Sequence, residues 1–319
     1  MICSAYAVSS AKFDIFSLFF KLLCAVPAIF VPKYTTNAME AITDYFSHIP
    51  SAHRSAFLLG GLTLFMLLEY GLPYYRTKYN KAKHLGINLF FTGTTIIINF
   101  LMAFLLLRAS DWSIAHEFGI LQWLPAMPLL VYIILGLLLL DLIGAYSIHW
   151  IQHNVKWMWR FHLIHHTDPN VDTTTANRHH PVESMFRFSF TIIAAVLAGA
   201  PMYLIMLYQT LSAALSQFNH GNFQTPKWLE NAIGWLIVTP RMHRVHHHYV
   251  LPYTDSNYGN IFSLWDRVFG TFSKLDNEKI VFGIDTHPHA KEQSDIGAML
   301  KIPFQEYRHP VGAKFDEVA

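Results

Sequence analysis

Charged residues are scarce in this chain of 319 residues. Asp, Glu, Lys and Arg together make up 14% of it, whereas 53% is hydrophobic and the mean hydropathy is +0.28. A composition this apolar argues against a water-soluble globular protein and indicates a membrane protein. The formal net charge is only +2, which leaves no basic surface of the kind that nucleic-acid-binding proteins use. We therefore expect a bilayer as the surroundings of the chain, and no nucleic-acid partner.

Cysteine is almost absent, because the chain has only Cys3 and Cys24. Two cysteines are too few for a disulfide framework or for an all-thiolate metal site. A metal bound by this chain must therefore be held by nitrogen or oxygen. Histidine, by contrast, occurs 19 times, and most of these residues lie between His149 and His248.

Long apolar segments predict the membrane topology. Residues 55–72, 85–107 and 126–148 each approach the roughly 20 apolar residues that one crossing of a bilayer requires. A fourth apolar region, residues 188–218, is too long for one crossing and is interrupted by the sequence Gly-Ala-Pro at 199–201, which favours a helical hairpin. We predict an all-α integral membrane helical bundle of about four spans, including this broken hairpin, with a cytoplasmic histidine-rich cap.

The N-terminal apolar segment has several possible roles. Residues 13–31 are apolar but contain Lys21 and Pro27, so the segment could be a span, an interfacial helix or an uncleaved signal-like anchor. We divide the chain into an N-terminal apolar or interfacial segment (1–54), a catalytic membrane domain (55–272) and a cytoplasmic C-terminal tail (273–319).

The distribution of basic residues predicts the orientation. Four basic residues lie between the first two spans, whereas the next loop, residues 111–122, has no Lys or Arg. Since short cytoplasmic loops are enriched in Lys and Arg, the first loop is predicted to be cytoplasmic. Counting the spans onward then places every histidine cluster on the cytoplasmic side.

Three histidine clusters have the spacing of neighbours on a helix face. Residues three or four apart on a helix lie on one side of it, so their imidazoles can chelate a metal. One isolated pair is more often a surface or capping feature, but three such clusters on one membrane face indicate metal binding. The clusters are His149 and His153; His162, His165 and His166; and His243, His246 and His247.

The number of histidines predicts two metal ions. One zinc ion takes about four ligands, or three in a catalytic site, whereas the clusters supply eight. Imidazole suits iron, zinc, copper and nickel, so the ligand type alone does not identify the metal. The H-E-x-x-H signature of zinc proteases is missing, because Ile151 and Gln152 stand where its general base would need to be.

The sequence around these clusters resembles the fatty acid hydroxylase superfamily, also called the sterol desaturase family. The resemblance extends over about residues 141–272 and is strongest in short motifs. These are Asp-Pro at 168–169, Asn-Arg-His-His-Pro-Val-Glu at 177–183, Thr-Pro-Arg-Met at 239–242, Asn-Tyr-Gly-Asn at 257–260 and Trp-Asp-Arg-Val-Phe-Gly-Thr at 265–271.

The resemblance implies a membrane-bound, non-haem di-iron enzyme that uses O2 on a lipid such as a sterol, fatty acyl chain, sphingoid base or alkylglycerol. It implies that the eight clustered histidines are metal ligands and that His220 completes the set. The general family pattern favours a hydroxylase over a desaturase. Because the sequence has no haem-attachment motif, flavin fingerprint or cysteine-rich cluster, the electrons are expected from a separate reductase or carrier protein.

Several polar residues have less certain roles. Asp141 lies eight residues before His149 and can share its helix face, where it would orient a histidine ligand or make a helix-packing hydrogen bond. His180 is expected to support the metal site or to line the cavity, with direct metal binding as an alternative. His179 is expected to face outward, and His248 to be a spare surface histidine, with a polar group near the substrate as the alternative.

Carboxylates and amides away from the clusters are assigned supporting roles. Glu69, in the first span, is expected to pair with a polar group of a neighbouring helix. Asp255, Asn257 and Asp266 follow the last cluster and are expected to hold histidine rings or to cap helices.

Three other functions remain open at this stage. A zinc-dependent membrane hydrolase would keep the histidines but lacks its base here. A metal transporter would hold its ions near the middle of the membrane rather than at one face. A catalytically dead scaffold is disfavoured by the unbroken set of histidines.

Overall fold

Helices form all the regular secondary structure in the part of the chain that a computed structural model describes, residues 37–311. Strand pairing among these residues is limited to three isolated bridges. The predicted all-α class is therefore confirmed. The apolar segment at residues 13–31 lies outside the described residues.

Four helical segments among the described residues are long and apolar enough to cross a membrane: Ser51–Gly71, Lys81–Trp123, Leu129–Asn154 and Pro181–Ala198. The first three contain or overlap the spans predicted from hydropathy. The observed helices are longer because polar residues continue them past the apolar core. The continuous helix within the second segment, Lys81–Ala115, is about 52 Å long at 1.5 Å per residue, whereas a hydrocarbon core is about 30 Å thick.

We number the helices in chain order, as follows: α1 Asn37–Ser47, α2 Ser51–Gly71, α3 Lys81–Ala115, α4 Ile120–Trp123, α5 Leu129–Asp141, α6 Ile148–Asn154, α7 Lys156–His166, α8 Pro181–Ala198, α9 Met202–His220, α10 Lys227–Ile233, α11 Pro240–His246, α12 Leu264–Phe269, α13 Ala290–Ser294 and α14 Ile296–Lys301. Short 3-10 helices occur at Thr173–Asn177, Asn277–Lys279 and Ile302–Phe304.

The predicted hairpin is formed by α8 and α9. Helix α8 begins with a proline at its first position, after His180, whose ring accepts a hydrogen bond from the Val182 amide. The helix ends at Gly199, which has φ 66° and therefore the left-handed conformation that glycine adopts most readily. A Cβ at Gly199 would lie 2.6 Å from the Phe118 carbonyl oxygen, so the close approach of this loop also requires glycine.

A π-helical turn, Leu142–Ser147, joins α5 to α6 without ending the span. A π turn closes i→i+5 hydrogen bonds and so contains one residue more than an α turn. The Ser147 hydroxyl donates to the Leu142 carbonyl across it. The extra residue brings Asp141 and His149 to the same side of the segment, where both contact the loop that precedes α12.

The bundle has an apolar interior and an apolar outer surface. Its core packs side chains of α3, α5, α8 and α9, with Leu140, Leu204 and Ile205 fully buried. On α3 the outward side chains are also apolar, and Phe100 is 79% exposed. A continuous exposed apolar surface of this kind fits contact with lipid tails rather than with water.

The polar loops gather at one end of the bundle. The C-terminal ends of α2, α6 and α9 and the N-terminal ends of α3 and α8 meet there. Glu69 at the end of α2 accepts hydrogen bonds from Thr173 and from the Asn222 amide, which is the helix-to-neighbour pairing expected for it. The histidine clusters thus share one end of the molecule.

The C-terminal segment packs against this polar end as far as the structure describes it. Met299 and Ile302 are buried with Ile164 of α7, and the Arg178 guanidinium donates to the Gln293 carbonyl. Residues from 273 onward were predicted as a tail, but up to residue 311 they form part of the cap. The domain boundaries themselves stay a prediction.

Candidate metal centre

Nine buried histidines converge in two adjacent groups. In each group, one ring nitrogen from every histidine lies within 4.8 Å of those from the others. The first group, which we call the five-histidine group, consists of His149, His153, His162, His166 and His246. The second, the four-histidine group, consists of His165, His220, His243 and His247. The groups adjoin each other, since the rings of His166 and His247 stack with centroids 4.8 Å apart.

Helical spacing explains how the histidines divide. Pairs four residues apart point to one group: His162 and His166 of α7 join the five-histidine group, and His243 and His247 at α11 join the other. The remaining histidine of each cluster lies three residues from one member and next to the other, so it faces the opposite group. Two helices with the same His-x-x-His-His pattern therefore each contribute to both groups.

The second ring nitrogen of several histidines is tied to an acceptor. The Nδ1 atoms of His149, His220 and His246 each lie 2.7 Å from a backbone carbonyl oxygen, those of Tyr258, Ser216 and Ser256. Carbonyl oxygens only accept, so each of these Nδ1 atoms carries the proton and donates it.

Two further histidines donate to carboxylates. His153 Nδ1 lies 3.0 Å from Asp255 Oδ1, and His162 Nδ1 lies 2.7 Å from Glu183 Oε1. Such carboxylate partners fix the tautomer and orientation of metal-binding imidazoles in proteins. The expectation that Asp255 holds a histidine ring agrees with this contact.

In the five histidines whose Nδ1 donates, the converging Nε2 atom is therefore left as a lone pair, whereas the Nδ1 atoms of His165, His166 and His243 have no hydrogen-bond partner among the described residues. His149 Nε2 is 3.2 Å from His162 Nε2, and His220 Nε2 is 3.1 Å from His165 Nε2 and 3.0 Å from His243 Nε2. Two bare imidazole nitrogens at this distance repel unless a cation lies between them. Imidazoles bound at 2.0–2.1 Å to one ion, at bond angles near 90° to 110°, have their nitrogens about 2.9 to 3.4 Å apart.

Burial keeps these imidazoles neutral. Burial, reinforced by the neighbouring histidines, lowers the pKa of six site histidines below its ordinary value of 6.5. These six lie outside the candidate spans and outside α9; they are His162, His165, His166, His243, His246 and His247. A neutral imidazole is the form that binds a metal ion. The donor set thus fits two metal ions held by nitrogen.

The number and the position of the histidines in each group help to identify the metal and to choose among the possible functions. Five imidazoles exceed the four ligands of a tetrahedral zinc site and fit an ion of higher coordination number. The groups lie at the helix ends, whereas transport sites lie near the middle of the membrane. Both observations disfavour the hydrolase and transporter functions left open above.

Glu183 is the carboxylate of the His-Pro-x-Glu motif, and it connects two histidines. Besides His162, it lies 3.7 Å from His179 Nε2 through Oε1. His179 is buried, and its ring centroid is 5.0 Å from that of His165. The expectation that His179 faces outward was wrong, because the turn before α8 directs its ring toward Glu183.

Two further histidines, His180 and His248, lie outside both groups. His180 caps α8 through Nδ1 and packs against Phe161, so it supports the helix that carries Glu183. His248 is buried rather than on the surface, because its Nδ1 accepts a hydrogen bond from the Val281 amide.

Asp141 contacts backbone and indole groups rather than a histidine. Its fully buried carboxylate accepts hydrogen bonds from the amides of Ile261 and Phe262 and from the indole of Trp265. These donors take up the carboxylate, so it does not orient a histidine ring directly. It anchors the loop whose Tyr258 carbonyl holds His149, which is the packing role left open for it.

A buried polar network beneath α7 was not foreseen from the sequence. Asp168 accepts hydrogen bonds from His84 and Thr175 and lies 3.7 Å from the Arg178 guanidinium. Burial opposes its ionisation, but Arg178 and His84 hold its pKa below the usual range. This network ties α3 to the loop after α7 and so fixes the helix that carries His162, His165 and His166. His84 follows Lys81 and Lys83 in the sequence, and no pattern there indicates this pairing.

Comparison with known proteins finds a family model that matches the central part of the chain. A family model described as fatty acid hydroxylase matches residues 133–271. Ornithine lipid hydroxylase OlsE of Rhizobium tropici is 27% identical over 180 residues, which cover 56% of this chain and 49% of that protein. Alkylglycerol monooxygenase of Homo sapiens is 32% identical over 152 residues, or 46% of this chain and 31% of that protein.

A third relative covers more of the chain. Very-long-chain aldehyde decarbonylase GL1-11 of Oryza sativa subsp. japonica is 22% identical over 255 residues, which cover 77% of this chain and 94% of that protein. The chain spans half or less of the length of the other two relatives. No solved structure matches the chain.

Proposed function

Because the chain contains a fatty acid hydroxylase domain at residues 133–271, we propose that it is a membrane-bound di-iron enzyme that uses O2 to hydroxylate a lipid. The observation that carries this proposal is the pair of buried histidine groups whose ring nitrogens converge, with five imidazoles in one and four in the other. The relatives described as lipid hydroxylase and monooxygenase support the same chemistry.

Nine histidines would hold the metals, and the chain itself prepares their geometry. Hydrogen bonds from Nδ1 to fixed acceptors keep four of the five rings in the five-histidine group oriented before a metal binds, those of His149, His153, His162 and His246. The four-histidine group offers fewer protein ligands, so we expect it to keep positions for small molecules. When bound, two iron ions would supply reductive activation of O2, so that one oxygen atom enters a C–H bond of the lipid and the other leaves as water, with two electrons and two protons taken up.

The remaining requirements are met by the surroundings of the site. Buried side chains exclude bulk water from the histidines, and the apolar faces of α3, α5 and α8 give a lipid access from the bilayer. The two electrons would come from a separate reductase or carrier protein that docks at the polar end of the bundle. We propose that this end is cytoplasmic, because Lys81, Lys83, Lys156 and Arg160 lie there and the loop at residues 111–122 has no Lys or Arg.

The experiment combines metal analysis with lipid profiling of membranes that contain the protein. We expect iron in the purified chain and lipids that have gained an oxygen atom in an O2-dependent manner. His165→Ala removes a member of the four-histidine group and should abolish the product, whereas His116→Ala, an exposed histidine at the other end of α3, should keep it. Identical lipid profiles for wild type and His165→Ala, or zinc with O2-independent hydrolysis, would contradict the proposal.

The rice relative suggests a second candidate substrate. Its description names a very-long-chain aldehyde, and the similarity extends over most of this chain. A lipid aldehyde is therefore the second substrate class to test. Hydrocarbons and aldehydes measured in the same lipid profiles would distinguish it from hydroxylation of an intact lipid.

A further inference from the structure

Arg187 is a cation within a helix that is long and apolar enough to cross the membrane. It lies in α8, and among residues 37–311 its guanidinium makes no hydrogen bond and no ion pair within 4 Å. Placing a charge in the apolar layer is costly, and such residues usually pair with another group or serve a function. The charge of Arg187 is therefore a feature that the fold of the protein alone does not explain.

Arg187 faces the middle of the bundle. It lies one turn after Glu183, whose carboxylate contacts His162, and one turn before Thr191 on the same side of α8. Thr191 packs against the π turn, where a Cβ at Gly144 would lie 3.7 Å from the Thr191 Cα. The charge of Arg187 acts electrostatically on Glu183, and on His162 and His220, one histidine from each group. The side chain is only partly buried, so a molecule from the bilayer can reach it.

Other unpaired polar groups lie between Arg187 and the histidines. Gln152 is fully buried beside the Glu183 carboxyl group, with which it interacts, but neither its Nε2 nor its Oε1 lies within 3.5 Å of a hydrogen-bond partner among the described residues. The Oε2 atom of Glu183 is also buried without a partner there. Buried polar atoms are rarely left unpaired, because each costs free energy when it has no partner. These atoms form a polar strip that leads from α8 to the five-histidine group.

We infer that Arg187 binds an anionic head group of the lipid substrate, with Gln152 as a further hydrogen-bond donor to it. This inference rests on the proposed function and adds the substrate class. A guanidinium presents several N–H donors that match the oxygens of a phosphate or carboxylate. A neutral head group would leave the charge of Arg187 without a partner in the membrane.

The test uses the full-length, iron-loaded protein in membranes with three lipids that share their acyl chains: a diacylglycerol phosphate, a free fatty acid and a neutral diacylglycerol. The first two separate phosphate from carboxylate recognition. We expect wild type to oxidise an anionic lipid in preference to the neutral one, as measured by mass spectrometry of the lipid products.

Arg187→Gln should lower turnover of the anionic lipid by about 10- to 100-fold, mainly through KM, with iron content unchanged. Arg187→Lys should restore part of the activity, and Arg108→Gln, an arginine at the other end of α3, should behave as wild type. The inference is overturned if wild type prefers the neutral lipid or if Arg187→Gln keeps full activity. A wild-type protein that contains iron but oxidises no lipid would contradict the proposed function itself.

Discussion

Glu183→Gln should weaken iron binding while leaving the shape of the site intact. In the wild type, His162 Nδ1 donates to Glu183 Oε1 at 2.7 Å, a short hydrogen bond to a carboxylate. Hydrogen bonds to charged groups contribute about 1.5 to 3 kcal/mol, compared with about 0.5 to 1.5 for neutral ones. A neutral amide in place of the carboxylate thus costs about 1 to 2 kcal/mol, or roughly a 5- to 30-fold loss in iron affinity.

A second effect acts in the same direction. If the glutamine turns its NH2 group toward His162, the proton of that ring moves to Nε2, and the nitrogen that faces His149 can no longer bind a metal. Iron per chain at a series of chelator concentrations measures both effects together. The matched control is Glu278→Gln, because Glu278 is exposed on the cap and should not alter iron retention. Wild-type iron retention and turnover in Glu183→Gln would refute the role of this carboxylate.

Three further predictions concern stability. Burial lowers the pKa of the site histidines below 6.5, so the unfolded chain binds more protons than the folded one as the pH falls. The metal-free protein should therefore lose stability below about pH 6.5. Denaturation midpoints at pH 8 and pH 5.5 measure this loss, and a midpoint that does not change with pH would contradict it. Asp141→Asn should lower the free energy of unfolding by about 1 to 3 kcal/mol and reduce iron retention. The reason is that the loop held by three hydrogen bonds to this carboxylate also positions His149. Thermal unfolding and iron content measure both effects, with the exposed residue variant Asp111→Asn as the control. Gly119→Ala should sharply reduce the yield of folded protein, because Gly119 has φ +114° and a Cβ there would lie 2.2 Å from the Gly199 amide nitrogen. The control Gly86→Ala should keep the yield, because Gly86 has open space around it. Equal yields of the two variants in a fluorescence-detected size-exclusion assay would count against the close packing of this loop.

Hydropathy was sufficient for the membrane helices because their composition depends on the solvent rather than on neighbouring helices. The three apolar runs and the hairpin broken at Gly199 all correspond to observed helices. Their ends could not be predicted as well, since polar residues such as Lys81 continue α3 beyond the apolar core. The π turn before His149 also had no signal in the sequence, because its residues are apolar like those of the span around it.

Helical spacing identified the three histidine clusters as candidate metal ligands, and the family resemblance added His220. Spacing alone could not show which histidines share a group, although the pairs four residues apart follow that division. The supporting contacts depend on distant segments: Tyr258 and Ser256 contribute carbonyl oxygens, which no sequence pattern marks. His179 and His248 were misplaced for the same reason, because their burial results from tertiary packing against Glu183 and the segment at Val281.

Oxygen-isotope labelling tests the central claim most directly. Membranes containing the protein are supplied with an electron donor and 18O2, and the lipid product is analysed by mass spectrometry. A di-iron lipid hydroxylase predicts one atom of 18O in each product molecule and no label from H2 18O. A product that lacks 18O from O2, or takes its oxygen from water, would contradict the account.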